Sequence, residues 1–281
     1  LLHVLAGLGF GDRLQAVHVH HGLSANADRW AEFCADYCRR VGVRFVLEHV
    51  SVDRDSTEGL EAAARAVRYA VFARCAGEVL LLGHHRADQA ETLLFNLLRG
   101  AGVAGAAAIP VERRHQRLRI LRPLLDVARE EIETYARDQR LEWVDDESNC
   151  DTGLTRNFLR HEVLTVLAGR FPAAERNLAQ AAGHFAEADA LLGELAGLDW
   201  RAAADGDALK LAALRDLSVP RLKNLLRYRL RQLGWKTPAA ARLDEFARQL
   251  LSAGADRHPA LDLAEGSMVA GRGVLRWVAR G

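Results

Sequence analysis

Sulfur and proline are scarce in this sequence. Its 281 residues include one Met, four Cys and six Pro. The cysteines Cys34, Cys38, Cys75 and Cys150 form no C-x-x-C pair and no Cys/His group at zinc spacing, which argues against a structural zinc site and a disulfide framework. Scattered single thiols fit a reducing cytosol, so the expected location is cytoplasmic. No apolar run is long enough to cross a bilayer, and no membrane partner is expected. The apolar opening LLHVLAGLGFGD lacks a basic n-region and a small-residue cleavage site, so it reads as the tail of an amphipathic helix and not as a signal peptide. Net charge is nearly absent too. The 38 Lys+Arg against 37 Asp+Glu leave +1, which excludes a uniformly basic nucleic-acid coat but permits a local basic patch. Of the basic residues only Lys210, Lys223 and Lys236 are lysine. Arginine suits bidentate phosphate recognition, although a GC-rich genome produces the same bias.

The chain is otherwise rich in core-forming residues. Hydrophobic residues make up 49% and charged ones 27%, a globular composition. The length fits two modest domains or one large one. Residues 14–20 (LQAVHVH) and 44–49 read as buried strands. Between them, Trp30, Phe33, Cys34, Tyr37 and Val41 recur at helical spacing over 26–41. A helix is expected over 58–76, with Leu60, Ala64, Val67, Val71 and Phe72 on one face. A short apolar strand follows at 78–82, then a helix over 88–98 that ends at Gly100 and Gly102. Strands alternating with helices imply βαβ units and a parallel sheet, whose ligands bind at the carboxyl ends of strands. Two segments stand at such ends, His18 to Gly22 and Gly83 to Asp88. After Leu121, helices are expected at 128–139, 155–168, 171–197, 219–233 and 239–252, and strand-like pieces at 260–263, 268–270 and 274–278. The expected division is a catalytic domain over 1–168, a linking helix over 169–197 and a smaller, mainly helical α+β domain over 198–281. No internal repeat or low-complexity linker interrupts the chain.

The densest chemistry lies in Gly83 to Thr92 (GHHRADQAET). His84, His85, Asp88 and Glu91 crowd a strand-to-helix junction, where helix N-terminal amides hold phosphate or carboxylate. General acid/base work, with magnesium through Asp88, is one reading. Acidic residues in a first turn also stabilise a helix by themselves, which is the bland alternative. Two histidines at a strand end favour function over capping. A transition-metal site is disfavoured, because adjacent histidines on a strand face opposite ways. His18, His20 and His21 stand at the other strand end, where a solvated or capping role is an equal reading. Glu61, Arg65 and Arg68 share a helix face and by spacing alone read as a surface ion pair of little worth. Arg156, Asn157, Arg160 and His161 open a helix behind Thr155, a good N-cap. That face could clamp RNA phosphate or be merely solvated. Arg221, Arg227, Arg229 and Arg231 form a second basic stripe, near Tyr228 and Trp235.

Five segments together resemble the tRNA(Ile)-lysidine synthases, N-type ATP pyrophosphatases of the PP-loop class. They are AVHVHHGLS (16–24), LEAAARAVRY (60–69), LLGHHRADQAETLLFNLLRGAGVAG (81–105), RPLL (122–125) and WVDDESNCDTGLTRNFLRHEVL (143–164). The third and fifth are specific; the first two alone are weak. The region from 207 onward is similar to that family's smaller substrate-binding domain. The resemblance implies an α/β nucleotide alpha-hydrolase-like fold and a reaction using ATP and Mg2+. ATP adenylates the C2 oxygen of the wobble cytidine of tRNA(Ile) carrying a CAU anticodon, and free L-lysine then displaces AMP. It further implies His85, Asp88 and Arg65 near the reacting centre, Asp88 as metal ligand, and His18, Val19, Gly83 and His84 near the adenosine. Arg122, Arg156, Asn157 and Arg160 would position the tRNA. A homodimer is compatible with this reading.

Three departures from the family pattern stand out. The Ser-Gly-Gly-x-Asp-Ser loop is expected just before Leu1, so the pyrophosphate cradle and its central strand fall outside this sequence. Ala87-Asp88 replaces the usual paired aspartates, which removes one candidate magnesium ligand. His20 occupies a position where an acidic or amide residue is common. Two alternatives are a non-catalytic tRNA-binding relic, which the first two departures favour, and a PP-loop tRNA thiolase, which would want paired cysteines.

Overall fold

The computed structural model describes residues 1–53, 56, 59–75, 77–115, 117–252 and 257–280. The side chain of Glu61 lies outside the described residues, as do residues 58 and 76, the expected ends of one helix. The chain divides into two compact units, Leu1–His184 and Phe185–Gly281.

The first unit begins with a short helix α1 (Leu2–Leu5) and continues through β1 (Gln15–His20), α2 (Ala27–Arg40) and β2 (Arg44–His49). β1 and β2 pair in parallel, with Gln15 opposite Arg44 and His20 opposite His49. α3 (Leu60–Cys75) leads to β3 (Val79–Leu81) and α4 (Arg86–Leu98). The buried face of α3 is Tyr69, Val71 and Phe72. Leu60, expected on that face, is exposed. After α5 (Val103–Ala106) come two strands that the sequence pattern did not announce, β4 (Glu112–His115) and β5 (Leu118–Leu121). They form a hairpin, and β5 also pairs in parallel with β3. The order is therefore β3-β5-β4, separate from the β1–β2 pair. Leu118 and Ile120 point inward while Arg119 is exposed, the period-2 alternation of a half-buried strand. β4 is almost wholly exposed and bears Glu112, Arg113 and Arg114, and such charge protects a sheet edge from pairing with other chains. One apolar cluster joins both sheet pieces: Tyr69, Phe72, Leu118 and Ile120, with Val17, Val19, Leu80 and Leu82 against them.

α6 (Arg129–Asp138) follows. The helix expected over 155–168 is instead α7 (Thr155–Phe158), a π-helical turn Leu159–Val163 and α8 (Leu164–Arg170). Single π turns inside helices often accompany functional sites, and this one carries Arg160. α9 (Ala174–Ala203) is longer than expected at its C-terminal end, and the division between the two units falls within it.

The second unit holds β6 (Ala204–Asp205), β7 (Ala208–Lys210), α10 (Leu211–Leu214), α11 (Val219–Leu233), α12 (Ala240–Ser252), β8 (Ala260–Asp262), β9 (Gly266–Gly271) and β10 (Val274–Ala279). The strands form an antiparallel sheet in the order β6-β7-β10-β9-β8. α11 starts with Pro220 in its first turn and ends on Gly234 at φ 72, the left-handed cap that glycine adopts without a Cβ penalty. Leu222, Leu225, Leu226 and Leu230 of α11 meet Leu243, Phe246, Ala247 and Leu250 of α12 in one core. These side chains recur at helical spacing, so both helices bury an apolar stripe.

Candidate active site

α4 begins where β3 ends, and its N-terminal turn organises the site. Asp88 Oδ2 accepts a hydrogen bond from the His85 backbone N–H at 2.9 Å. The capping reading therefore holds for one oxygen of Asp88. Its other oxygen lies 3.8 Å from the Arg160 guanidinium. His85 Nε2 is 3.6 Å from Asp88 Oδ2.

One turn further along, Glu91 is 1% exposed. Arg160 grips it with both prongs, Nε to Oε1 at 2.6 Å and Nη2 to Oε2 at 3.0 Å. This bond to Glu91 raises the Arg160 pKa, against the effect of burial. Arg160 thus spans Asp88 and Glu91 from the π turn. Arg160, expected to contact tRNA, has its charge met in this structure by these two carboxylates. Asn157, expected to contact tRNA as well, also has partners within the chain. It is buried and donates to the carbonyls of Ser148 and Asp151 at 2.8 and 2.9 Å, which pins the preceding loop. Arg156 Nη1 donates to Thr92 Oγ1 at 3.4 Å, and its guanidinium lies 5.3 Å from the centre of the Phe95 ring.

Arginines converge on the same place from the sheet side. Burial lowers the His84 pKa, and Arg122, Arg65 and Arg156 lower it further while Asp88 opposes them. His84 is therefore held neutral. Arg122, expected to position tRNA, is 2% exposed and donates to the Pro110 carbonyl at 2.6 Å, so it stands inside the wall. Burial lowers its pKa as well. Tyr69 is the hub of this side. Arg65 Nη2 donates to its hydroxyl at 3.4 Å, and the Arg65 and Arg113 guanidinia lie 5.0 and 5.6 Å from its ring centre. Arg65 is thus engaged with Tyr69, one helical turn away. Sequence reasoning gave Tyr69 and Arg113 no role. Alternation in the Arg-rich stretch 112–121 was the available signal for the hairpin that delivers Arg113.

His18, His20, His21 and His49 gather at the carboxyl ends of β1 and β2. The His20 and His49 rings are 4.6 Å apart, and His20 Nε2 bonds Asp28 at 3.0 Å. Burial lowers the pKa of His18 and of His21. Val19 lies between them on β1, and Gly83 is exposed in the turn after β3. The Nδ1 atoms of His21, His84 and His85 and the Nε of Arg122 are buried with no hydrogen-bond partner among the described residues. Buried polar atoms are nearly always paired; of eight such unpaired side-chain atoms among the described residues, four fall in these two segments and the adjoining wall, the others being on Tyr37, Arg229, Glu265 and Trp277.

No group of three or more His, Cys, Asp or Glu that could hold a metal exists among the described residues. Asp88 can offer one carboxylate oxygen. That suits Mg2+ only as an ion held mainly by phosphate and water. Cys34, Cys38 and Cys75 have pKa values raised by burial, so they stay protonated and poorly nucleophilic. No helix among the described residues is long and apolar enough to cross a membrane.

In the second unit the basic stripe of α11 is mostly paired with acidic residues. Arg221 pairs with Asp199, Arg229 with Asp207 at 3.1 Å and Arg231 with Asp189 at 2.9 Å. Arg229 also lies 4.5 Å from the ring centre of Trp200 and 5.8 Å from that of Trp277. These three arginines of the stripe, expected as a phosphate-binding patch, thus have acidic partners within the chain.

Residues 1–167 match the family model of the PP-loop domain. The chain belongs to the PP-loop family. Residues 209–277 of this PP-loop protein match a second model, the TilS substrate binding domain. The chain is 52% identical over 252 residues to the tRNA(Ile)-lysidine synthase of Aromatoleum aromaticum, covering 89% of this chain and 59% of that protein. It is 45% identical over 272 residues to the one of Alkalilimnicola ehrlichii, covering 95% and 61%. The chain therefore spans about six-tenths of the length of these curated relatives. A solved U34-tRNA thiolase, NcsA from Methanococcus maripaludis, aligns over 62% of this chain and 61% of that one at 15% identity, with a TM-score of 0.48.

Proposed function

We propose that this PP-loop protein forms lysidine in tRNA(Ile), using ATP to activate the wobble cytidine and free L-lysine as the nucleophile. The observation that carries the proposal is the set of orphaned atoms His21 Nδ1, His84 Nδ1, His85 Nδ1 and Arg122 Nε at the strand ends of a PP-loop domain. The likeness to the two lysidine synthases names the substrates.

In the reaction, the C2 oxygen of cytidine attacks the α-phosphate of ATP and pyrophosphate leaves. The lysine amine then attacks C2, AMP leaves with the C2 oxygen, and the amine loses a proton. Arg65 and Arg122 supply positive charge beside His84, where phosphate oxygens carry the growing negative charge. His84, held neutral, keeps a ring nitrogen available as acceptor or donor. Asp88 is the proton acceptor nearest the helix start, oriented by the His85 N–H. Arg160 keeps the Glu91 carboxylate satisfied and so shapes the floor beneath Asp88. His18, Val19 and Gly83 line the strand ends where the adenosine sits. When bound, Mg2+ supplies Lewis-acid charge to the phosphates, and Asp88 is the residue that would hold it.

The test is direct. The native protein, given tRNA(Ile) with a CAU anticodon, ATP, Mg2+ and labelled lysine, transfers label to the tRNA with one AMP released per lysine. ATP consumption without lysine in the tRNA would overturn the proposal.

A further inference from the structure

The second unit contains a cavity of about 370 Å3 that the proposed chemistry leaves unused. Leu211, Leu250 and Ala270 give it an apolar floor, and Arg257 and Arg272 give its rim positive charge beside His258; Arg215 also lines it and already has a partner of its own. Among the described residues, no Asp or Glu lines it. This differs from α11 in the same unit, where arginines face aspartates. Among the described residues, no ion pair or side-chain hydrogen bond engages Arg257 or Arg272.

The frame of the cavity is fixed by backbone bonds. The Leu211 N–H donates to the Gly273 carbonyl at 2.9 Å, and the Ala270 N–H donates to the Pro259 carbonyl at 2.8 Å. The His258 ring lies against Gly271, where an added Cβ would stand 3.8 Å from its Nδ1. Arg272 and Gly273 form the two-residue turn between β9 and β10, at φ 51 and 77. Such turns favour Asn, Asp or Gly at the first position. Arginine there is locally unfavourable, and it presents a guanidinium at the mouth of the cavity.

An occupant must bring negative charge to the rim and a flat apolar surface to the floor. The volume lies near the lower end for ligand pockets, about 300–1,000 Å3, which suits a single nucleotide unit. We propose that this cavity seats one unstacked nucleotide of an RNA strand, its phosphate on Arg257 and Arg272 and its base over Leu211 and Leu250 beside His258. The choice of RNA rests on the proposed function; the cavity lies outside the site proposed for the chemistry.

The experiment is tRNA binding by the protein across a salt series, read by fluorescence anisotropy. The variant is Arg257→Gln with Arg272→Asn, since asparagine tolerates the left-handed turn. The variant should bind about tenfold more weakly, and its plot of log affinity against log salt should flatten by about one unit, as expected when about one phosphate contact is lost. A second measurement uses the unaltered protein. Bound tRNA should shield Arg257 and Arg272 from phenylglyoxal, whereas ATP alone should not. Unchanged affinity and slope in the variant, or equal shielding by ATP, would overturn the inference, as would failure of the protein to bind tRNA. Shielding by tRNA in a protein that transfers no lysine would support this inference while the proposed function fell.

Discussion

At the scale of single residues, the decisive contact is Arg160 with Glu91. A carboxylate that is 1% exposed is costly to keep ionised without a partner. Arg160 offsets that cost through two hydrogen bonds whose planar fork matches the carboxylate. Arg160→Ala should therefore destabilise the folded state by about 3–5 kcal/mol, measured by urea unfolding, because it strands the Glu91 charge. Arg160→Lys should fall between, since an ammonium cannot reproduce the fork. An Arg160→Ala protein of unaltered stability would show that Glu91 finds another partner. The type of each residue was legible in the sequence, and their pairing was not. They are 69 positions apart, and only the π turn brings the guanidinium over α4.

At the scale of the element, the start of α4 does two jobs with one carboxylate. Asp88 caps the helix through Oδ2 and can meet substrate through Oδ1. Asp88→Asn separates the jobs, because the amide oxygen can still accept the His85 N–H. Stability should change by less than about 1 kcal/mol, the usual worth of a cap. Lysine transfer should fall about 100-fold or more, as expected for loss of a charged acid/base group. Wild-type-like lysine transfer by the Asp88→Asn protein would instead make Asp88 a cap alone. β4 and β5 are the elements the pattern concealed. Their ten-residue stretch is dominated by arginine, and the apolar alternation of β5 is only Leu118, Ile120 and Leu121. Yet this hairpin supplies Arg113 and half of the cluster under Tyr69.

At the scale of the whole molecule, the histidines couple stability to pH. Burial holds the pKa of His18, His21 and His84 below the ordinary value. The unfolded chain takes up protons near pH 6.5, whereas the folded chain resists them at these positions. Stability from the neutral histidines is therefore complete above about pH 6.5 and declines as the pH falls through and below that value. Melting temperature should drop between pH 7.5 and pH 5.5, and His18→Gln and His84→Gln should each reduce the drop. A flat profile would mean that other groups compensate.

The sequence by itself determined the alternating elements of the first unit, the two strand ends where chemistry gathers, and the helical cores of the second. Periodicity encodes which face of an element is apolar, and motif spacing encodes where strands stop. The family, too, was legible, because Gly83 to Thr92 and the segment around Thr155 to His161 keep residue types and order. Only the tertiary structure decided what each arginine faces. Arg122 lies in a wall, Arg160 on a carboxylate, Arg65 and Arg113 on Tyr69, while Arg257 and Arg272 edge a cavity. A guanidinium carries the same charge wherever it stands in a sequence. Its role is set by the dielectric and the partner it meets, and those come from residues far away along the chain.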